Sequence, residues 1–356
     1  MTKLVSTPRP GTQPRLDNLT RQWDTILLAV ILLPVLWPLI AHGLPNSADG
    51  ALHVLRLLVL DGYLRQGQML PRWAPDLVGG FGYPVFSYYS PASYYLAEIP
   101  RLLGFDAFTS VAIALAVILV GAALGMRALV RALLTTGLDD EVARWAGLVG
   151  AAAYGYAPYL LQNVYIRSAL GEAAAQALLP WILWAFCQLT IAAHPKRYIL
   201  PAAVLLAGLA LTHNITLILF PPLLVAFVIW LWWRSGRLRS RAIGLVAAGL
   251  LAIGLSAFFW APLIAERGFL SNYAYELSIN LLIPENIWNW GTFLDGGLVF
   301  HYGLGIPYKI GLVQLGLAIA GAAQLIRRSR GWGFWVLAAL AYGLFAGKWA
   351  EPLWLS

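Results

Sequence analysis

Long apolar runs joined by short polar segments set the pattern of this chain. Runs near 25–41, 107–133, 144–160, 173–193, 198–212, 215–233, 242–265, 306–326 and 332–347 are hydrophobic throughout. Several approach or exceed the ~17 to 20 residues that an α-helix needs to cross ~30 Å of hydrocarbon. The pattern predicts an all-α, polytopic transmembrane bundle of about nine spans. A membrane β-barrel would instead alternate inward and outward residues over ~10-residue segments, whereas Val111 to Met126 is continuously apolar. The stretch 91–104 is short, follows Pro91 and carries Glu98 and Arg101, so it reads as an interfacial or re-entrant helix.

Composition supports the same class. Of 356 residues, 60% are apolar and 11% charged, against the roughly 25% charged residues of soluble domains, which excludes an ordinary soluble enzyme. The charges also predict an orientation. With the N-terminus inside, 16 of the 24 Lys and Arg fall in inner loops, at 3–21, 127–144, 196–197, 234–241 and 327–330, while only five of the 16 acids do. This gives N-in/C-out, with 1–24 a cytoplasmic segment, 25–356 one transmembrane domain, and outer loops at 42–106 and 266–305. The net charge of +8 then reflects topology, and nucleic acid is not an expected partner; the bilayer is. The expected location is the plasma or inner membrane, multi-pass. The first run reads as a retained anchor, since its polar leader is long and no small-x-small cleavage site precedes His42. The chain stops soon after the ninth run, and a truncated or split product is expected. The single Cys187 lies in an apolar run, which leaves no internal disulfide and no thiolate metal cluster.

Acids are costly in a membrane unless they face water or partners, so the outer polar segments carry the information about function. In the first, a helix starting near Ser47, a good N-cap residue, places Asp49, His53 and Arg56 at i, i+4 and i+7 on one face. Leu52, Leu55 and Val59 lie on another, giving an amphipathic helix in the membrane interface whose polar row faces a cavity. Asp49 is then a candidate general base, with His53 and Arg56 orienting it or neutralising phosphate. Equally, Asp49 could complement the helix dipole within an intrahelical charge pair. Further on, Gly79 to Tyr95 interleaves aromatics, Tyr88 and Tyr89 among them, with Gly, Ser and Pro. That composition suits either an aromatic belt or a platform on which a sugar stacks.

The second segment contains Arg167 and Glu172, with Glu172 in the first turn of the fourth span and Arg167 able to pair with it or with a lipid phosphate. The third is the polar notch Leu211-Thr-His213-Asn214 between two apolar runs, where Asn suits a tight turn and His is a structural donor or a functional group. The 40-residue loop 266–305, with Glu266, Arg267, Glu276, Glu285, Trp288, Trp290, Asp295 and His301, is long enough for a lid or binding loop. No His and carboxylate spacing marks a metal site, so no cofactor is expected, and a divalent ion is unsupported.

In order along the chain stand Asp49…His53, Phe81-Gly-Tyr-Pro…Tyr88-Tyr-Ser-Pro, Tyr154…Ala-Pro158-Tyr…Arg167-Ser-Ala-Leu-Gly-Glu172…Leu178-Leu-Pro180 and Leu211-Thr-His213-Asn214. This set resembles bacterial membrane proteins labelled 6-pyruvoyl-tetrahydropterin synthase related, which in turn look like members of the GT-C glycosyltransferase superfamily. The resemblance implies a multi-span glycosyltransferase that takes sugar from a polyprenyl-phosphate donor and acts outside, on a lipid, glycan or protein acceptor. It matches Asp49 to the acidic catalytic-base position of the first outer loop, and His53, Arg56, Tyr88, Tyr89, Arg167, Glu172, His213 and Asn214 are the candidate substrate-binding residues. The rival expectations are a transporter or lipid flippase, which needs ionisable groups near mid-membrane, and a non-catalytic scaffold, which need not gather Asp49, Arg167, Glu172 and His213 in one place.

Overall fold

A computed structural model describes residues 14–135, 139–236, 238–269, 294, 309–328, 333–347 and 350. Within them the chain is built from α-helices: α1 (Pro14–His42), α2 (Gly50–Arg65), α3 (Ala92–Leu102), α4 (Ala107–Leu134), α5 (Asp140–Gly155) and α6 (Leu170–Ile191). They continue as α7 (Ile199–Ala210), α8 (Asn214–Leu219), α9 (Pro221–Ser235), α10 (Leu238–Ala265), α11 (Leu312–Arg328) and α12 (Gly333–Ala346). Among the described residues, five stretches are long and apolar enough to cross a membrane: Trp23–His42, Ala107–Leu134, Leu170–Ile191, Asn214–Ser235 and Arg241–Ala265. The protein is an all-α membrane protein.

The other four runs read from sequence are shorter as helices. The third is the 16-residue α5, and the fifth is the 12-residue α7, which at about 1.5 Å per residue covers only about 18 Å. The sixth run, itself one of the five stretches, is kinked between α8 and α9 at Pro221 and Pro222, where the missing N–H groups stop α8 and preset the first turn of α9. The last two are the apolar helices Leu312–Gln324 and Gly333–Ala346. As the sequence suggested, 91–104 does not span: α3 has 11 residues.

Helices α4, α5 and α6 form the centre. Lipid chains are as apolar as leucine, so these helices gain from close packing more than from hydrophobic exclusion, and small residues open the way. Gly147, Ala151 and Gly155 line one face of α5, and a methyl on Gly155 would stand 3.1 Å from Leu32 of α1. On α4, Gly125 admits the Trp181 ring, which a methyl there would meet at 2.7 Å, and the Trp181 indole donates to the Gly121 carbonyl at 2.8 Å. One end of this core is tied by Asp24, which pairs with Arg127 (3.0 Å) and Arg144 (3.4 Å) and so links α1, α4 and α5. Further round, Phe334 of α12 stacks on Trp230 of α9 at 5.0 Å between centroids. Cys187 is buried within α6.

Helix α2 departs from the sequence reading in two ways. Its N-cap is Asp49, not Ser47, and it starts at Gly50; the Ser47 hydroxyl instead donates to Ser168 at 2.7 Å. Nor does the whole polar row face a cavity. His53 is 1% exposed and shares the buried stripe with Leu57, Leu60 and Asp61, because i, i+4, i+7 and i+8 face α3 and the core. Leu52, Leu55 and Leu58 are exposed, as an interfacial helix requires, with Val59 half-buried.

Candidate functional site

At the end of the bundle opposite Asp24, four distant segments converge on the N-terminus of α6. Ahead of it the chain makes a π-turn at Gln162–Ile166 and then passes through Ser168 with φ of +52°. A π-turn and a buried non-glycine residue in the left-handed region are both costly features that concentrate at functional sites. The cost is offset locally: Ser168 accepts from Ser47 and donates to the Val164 carbonyl at 3.2 Å. The backbone of the segment joining α1 to α2 then docks here, Asp49 N–H donating to the Arg167 carbonyl at 2.8 Å and Ala48 N–H to the Ile166 carbonyl at 3.2 Å.

Arg167 and Glu172 form an ion pair of 2.7 Å, and Arg167 also donates to Asn163 at 2.9 Å. Glu172 additionally accepts from the Tyr159 hydroxyl. It lies in the first turn of α6, where a carboxylate complements the exposed N–H groups. Arg167 therefore has its charge balanced within the protein.

His53 sits beneath this pair as a neutral strut. Burial first, then the Arg56 and Arg167 charges, push its pKa down to about 3. Its Nε2 accepts from the Leu170 N–H at 3.4 Å, which places the ring proton on Nδ1, 2.7 Å from the Tyr94 hydroxyl. Tyr94 is fully buried and also receives a hydrogen bond from Arg56 at 3.2 Å. The Arg56 guanidinium lies 4.2 Å above the Tyr89 ring. Among the described residues no carboxylate pairs with Arg56, and none of them hydrogen-bonds the carboxylate of Asp49, whose side chain does not cap its own helix. Asp49 and Arg56 thus stand about two turns apart, roughly 10 Å along α2, a carboxylate and a guanidinium each without an ion-pair partner among the described residues.

The notch at 211–214 closes the other side. His213 is the N-cap of α8, its Nδ1 accepting from the Thr216 N–H at 3.4 Å, and burial lowers its pKa while Glu172 raises and Arg167 lowers it further. Asn214 donates to the Tyr88 carbonyl at 3.0 Å and accepts from Ser90 at 2.6 Å, and Ala92 N–H donates to the Leu211 carbonyl at 2.7 Å. Gly171 permits the approach: a methyl there would stand 2.9 Å from the Thr212 carbonyl oxygen. The Tyr88 hydroxyl reaches the Glu266 carbonyl at 3.3 Å, and Glu266 pairs with Arg72 at 2.5 Å.

A family model described as "6-pyruvoyl-tetrahydropterin synthase related domain; membrane protein" matches residues 86–348. The chain belongs to this family. An uncharacterized protein of Lactococcus lactis subsp. cremoris (strain MG1363) is 24% identical to this member over 281 residues. The match covers 76% of this chain and 44% of that protein, so the chain spans less than half of the relative's length. Within the domain matched by the 6-pyruvoyl-tetrahydropterin synthase related family fall Tyr88, Tyr89, Arg167, Glu172, His213 and Asn214, whereas Asp49, His53 and Arg56 precede it.

All nine candidate residues belong to this one constellation, but in different capacities. His53, Asn214 and Arg56 join segments, Glu172 pairs with Arg167, and His213 caps α8, while the Asp49 carboxylate has no side-chain partner among the described residues. Sequence reasoning missed Tyr94, Tyr159, Asn163 and Ser168. A signal for Tyr94 existed: it stands at i, i+4 with Glu98 on α3, opposite the His53, Leu57 and Asp61 stripe of α2. Among the described residues no three His, Cys, Asp or Glu gather as a metal site. Glu276, Glu285, Trp288, Trp290, Asp295 and His301 lie outside the described residues.

Proposed function

We propose that this chain is an integral membrane glycosyltransferase that moves a sugar from a polyprenyl-phosphate donor to an acceptor hydroxyl on the extracytoplasmic side. The bundle would cross the plasma membrane about nine times, with the N-terminus inside. The observation that carries the reading is the half-buried Asp49 carboxylate, free of protein partners among the described residues, on the same face as Arg56. In the reaction, Asp49 takes the proton of the acceptor hydroxyl as its oxygen attacks the anomeric carbon. The bond from that carbon to the phosphate oxygen breaks, and the prenyl phosphate leaves as an anion that needs no proton. Arg56, rather than the internally balanced Arg167, is the group suited to hold that phosphate. Tyr89 braces the guanidinium from below, and the Tyr88 and Tyr89 segment offers ring faces to the sugar.

The test is transfer of radiolabelled sugar from a panel of polyprenyl-phosphate donors by protein purified in lipid. Asp49→Asn is expected to lower turnover by about 10²- to 10⁴-fold with an unchanged thermal unfolding curve. Arg56→Ala is expected to raise the donor KM about tenfold. Retained transfer in the Asp49→Asn protein sinks the assignment of the base, and a folded wild-type protein inert with every donor sinks the enzyme reading.

A further inference from the structure

The opposite end of the bundle holds a cleft of about 640 Å³ between the α6–α7 joint and the start of α10. Its polar wall is His194, Lys196, Arg197 and Arg241, its apolar wall includes Ile199 and Ile243, and no acidic side chain among the described residues lines it. Of the other arginines near this end, Arg127 and Arg144 pair with Asp24, Arg131 pairs with Asp140, and Arg234 lies 5.2 Å from the Trp230 ring. Lys196 and Arg197 have no side-chain hydrogen bond or ion pair among the described residues. They project from the short 3-10 turn Pro195–Tyr198.

Arg241 fixes the floor of the cleft. One guanidinium nitrogen donates to the Ala192 carbonyl at the end of α6 at 2.9 Å, which anchors the group and complements the negative end of that helix. Its Nε is buried with no partner. The cations therefore face a space whose far wall is hydrocarbon-like and continuous with the lipid-facing side of α10, where Ile243 is 84% exposed. A free inorganic anion would use the charges and leave that wall idle. A diester phosphate with acyl chains uses both, because basic pockets between membrane helices bind lipid headgroups while chains lie along the apolar flank.

We infer that this cleft is a binding site for the phosphate headgroup of an anionic phospholipid, with Lys196, Arg197 and Arg241 holding the phosphate and an acyl chain lying against Ile199 and Ile243. The site is remote from Asp49 and does not depend on the glycosyltransferase reading; it needs only that the helices sit in a bilayer.

The experiment is native mass spectrometry of the full chain in neutral detergent, titrated separately with phosphatidylglycerol, phosphatidylcholine and inorganic phosphate. Thermal unfolding is followed in the same samples. Phosphatidylglycerol is expected to form a discrete one-to-one adduct and raise the midpoint. Lys196→Ala/Arg197→Ala is expected to weaken that adduct by roughly tenfold or more. Arg234→Ala, which removes a cation of the same end outside the cleft, should leave it unchanged. Both substitutions are at exposed positions, and unfolding without added lipid reports directly whether either variant is folded. Equal binding of phosphatidylcholine, an equal gain with inorganic phosphate, or equal loss in Arg234→Ala overturns the proposal. Undiminished binding by the double variant overturns it too.

Discussion

The two ends of the bundle handle charge in opposite ways. Around Asp24 a single carboxylate, its side chain 6% exposed, faces two arginines, while Arg131 pairs with Asp140 and Arg241 with the Ala192 carbonyl. Around Arg167 the charges are embedded in tyrosines, amides and hydroxyls drawn from four segments, and the backbone itself is bent to bring them there. The first arrangement is a clasp between three helices, with little freedom to admit anything. The second sets a π-turn and the left-handed Ser168 where groups from four segments meet, and it leaves the Asp49 carboxylate without a side-chain partner among the described residues. The first arrangement serves the closure of the bundle; under the proposed function, the second also serves a bound substrate.

If that contrast is right, breaking the clasp harms stability most. Asp24→Ala leaves Arg127 and Arg144 buried without their counter-charge, and a loss of about 3–5 kcal/mol is expected, measured as a lower unfolding midpoint in detergent. A loss below that of an ordinary surface change would mean that the clasp is solvated. The next effect falls at the other end. Gly171→Ala forces a methyl to 2.9 Å from a backbone carbonyl oxygen, which cannot swing away like a side chain, so the 211–214 notch must shift away from α6. Overpacking of this kind costs about 1–3 kcal/mol. Because the notch carries Asn214 and through it the Tyr88 segment, the variant should also lose transfer activity by more than its stability loss explains. A variant that is destabilised but fully active would show that the notch is scaffolding.

How much of this was legible beforehand follows from the range of each interaction. Apolar runs are local, so the membrane class, the interfacial length of α3 and the placing of Glu172 in a first helical turn are readable from the chain. Span count was less readable, because a run does not reveal that 198–212 will yield only the 12-residue α7. The cap of α2 was misread for a similar reason: Ser47 is a good cap in isolation, but Ser168, 121 residues away, claims its hydroxyl. His53 looked like a cavity group because its face was assigned from Asp49 and Arg56, whereas the decisive partners, Tyr94 and the Leu170 N–H, lie 41 and 117 residues along the chain. The pairing of Asp61 with Arg101 also crosses elements, joining α2 to α3.

That last pairing gives the smallest expected effect and the finest test of how the Asp49 end stores charge. Glu98 is 2% exposed, and neither of its carboxylate oxygens has a hydrogen-bond donor among the described residues. Burial, then the charge of Asp61, push its pKa up to about 7, against the opposing pull of Arg101 and Arg65. The folded protein therefore binds a proton there that the unfolded chain has already released above its ordinary carboxylate pKa of about 4.5. This contribution is complete below about 4.5 and is lost as the pH rises through about 7. His53 runs the other way, since its depressed pKa costs stability only as the pH falls below its ordinary 6.5. Between pH 6.5 and about 8 the contribution of Glu98 still falls, while that of His53 is common to two proteins that differ only at Glu98 and cancels between them. Glu98→Gln imitates the protonated carboxyl at every pH, so over that window its unfolding midpoint should fall less than that of the wild type. A gap between the two proteins that stays constant with pH would mean that Glu98 is ionised throughout, with water reaching between α2 and α3.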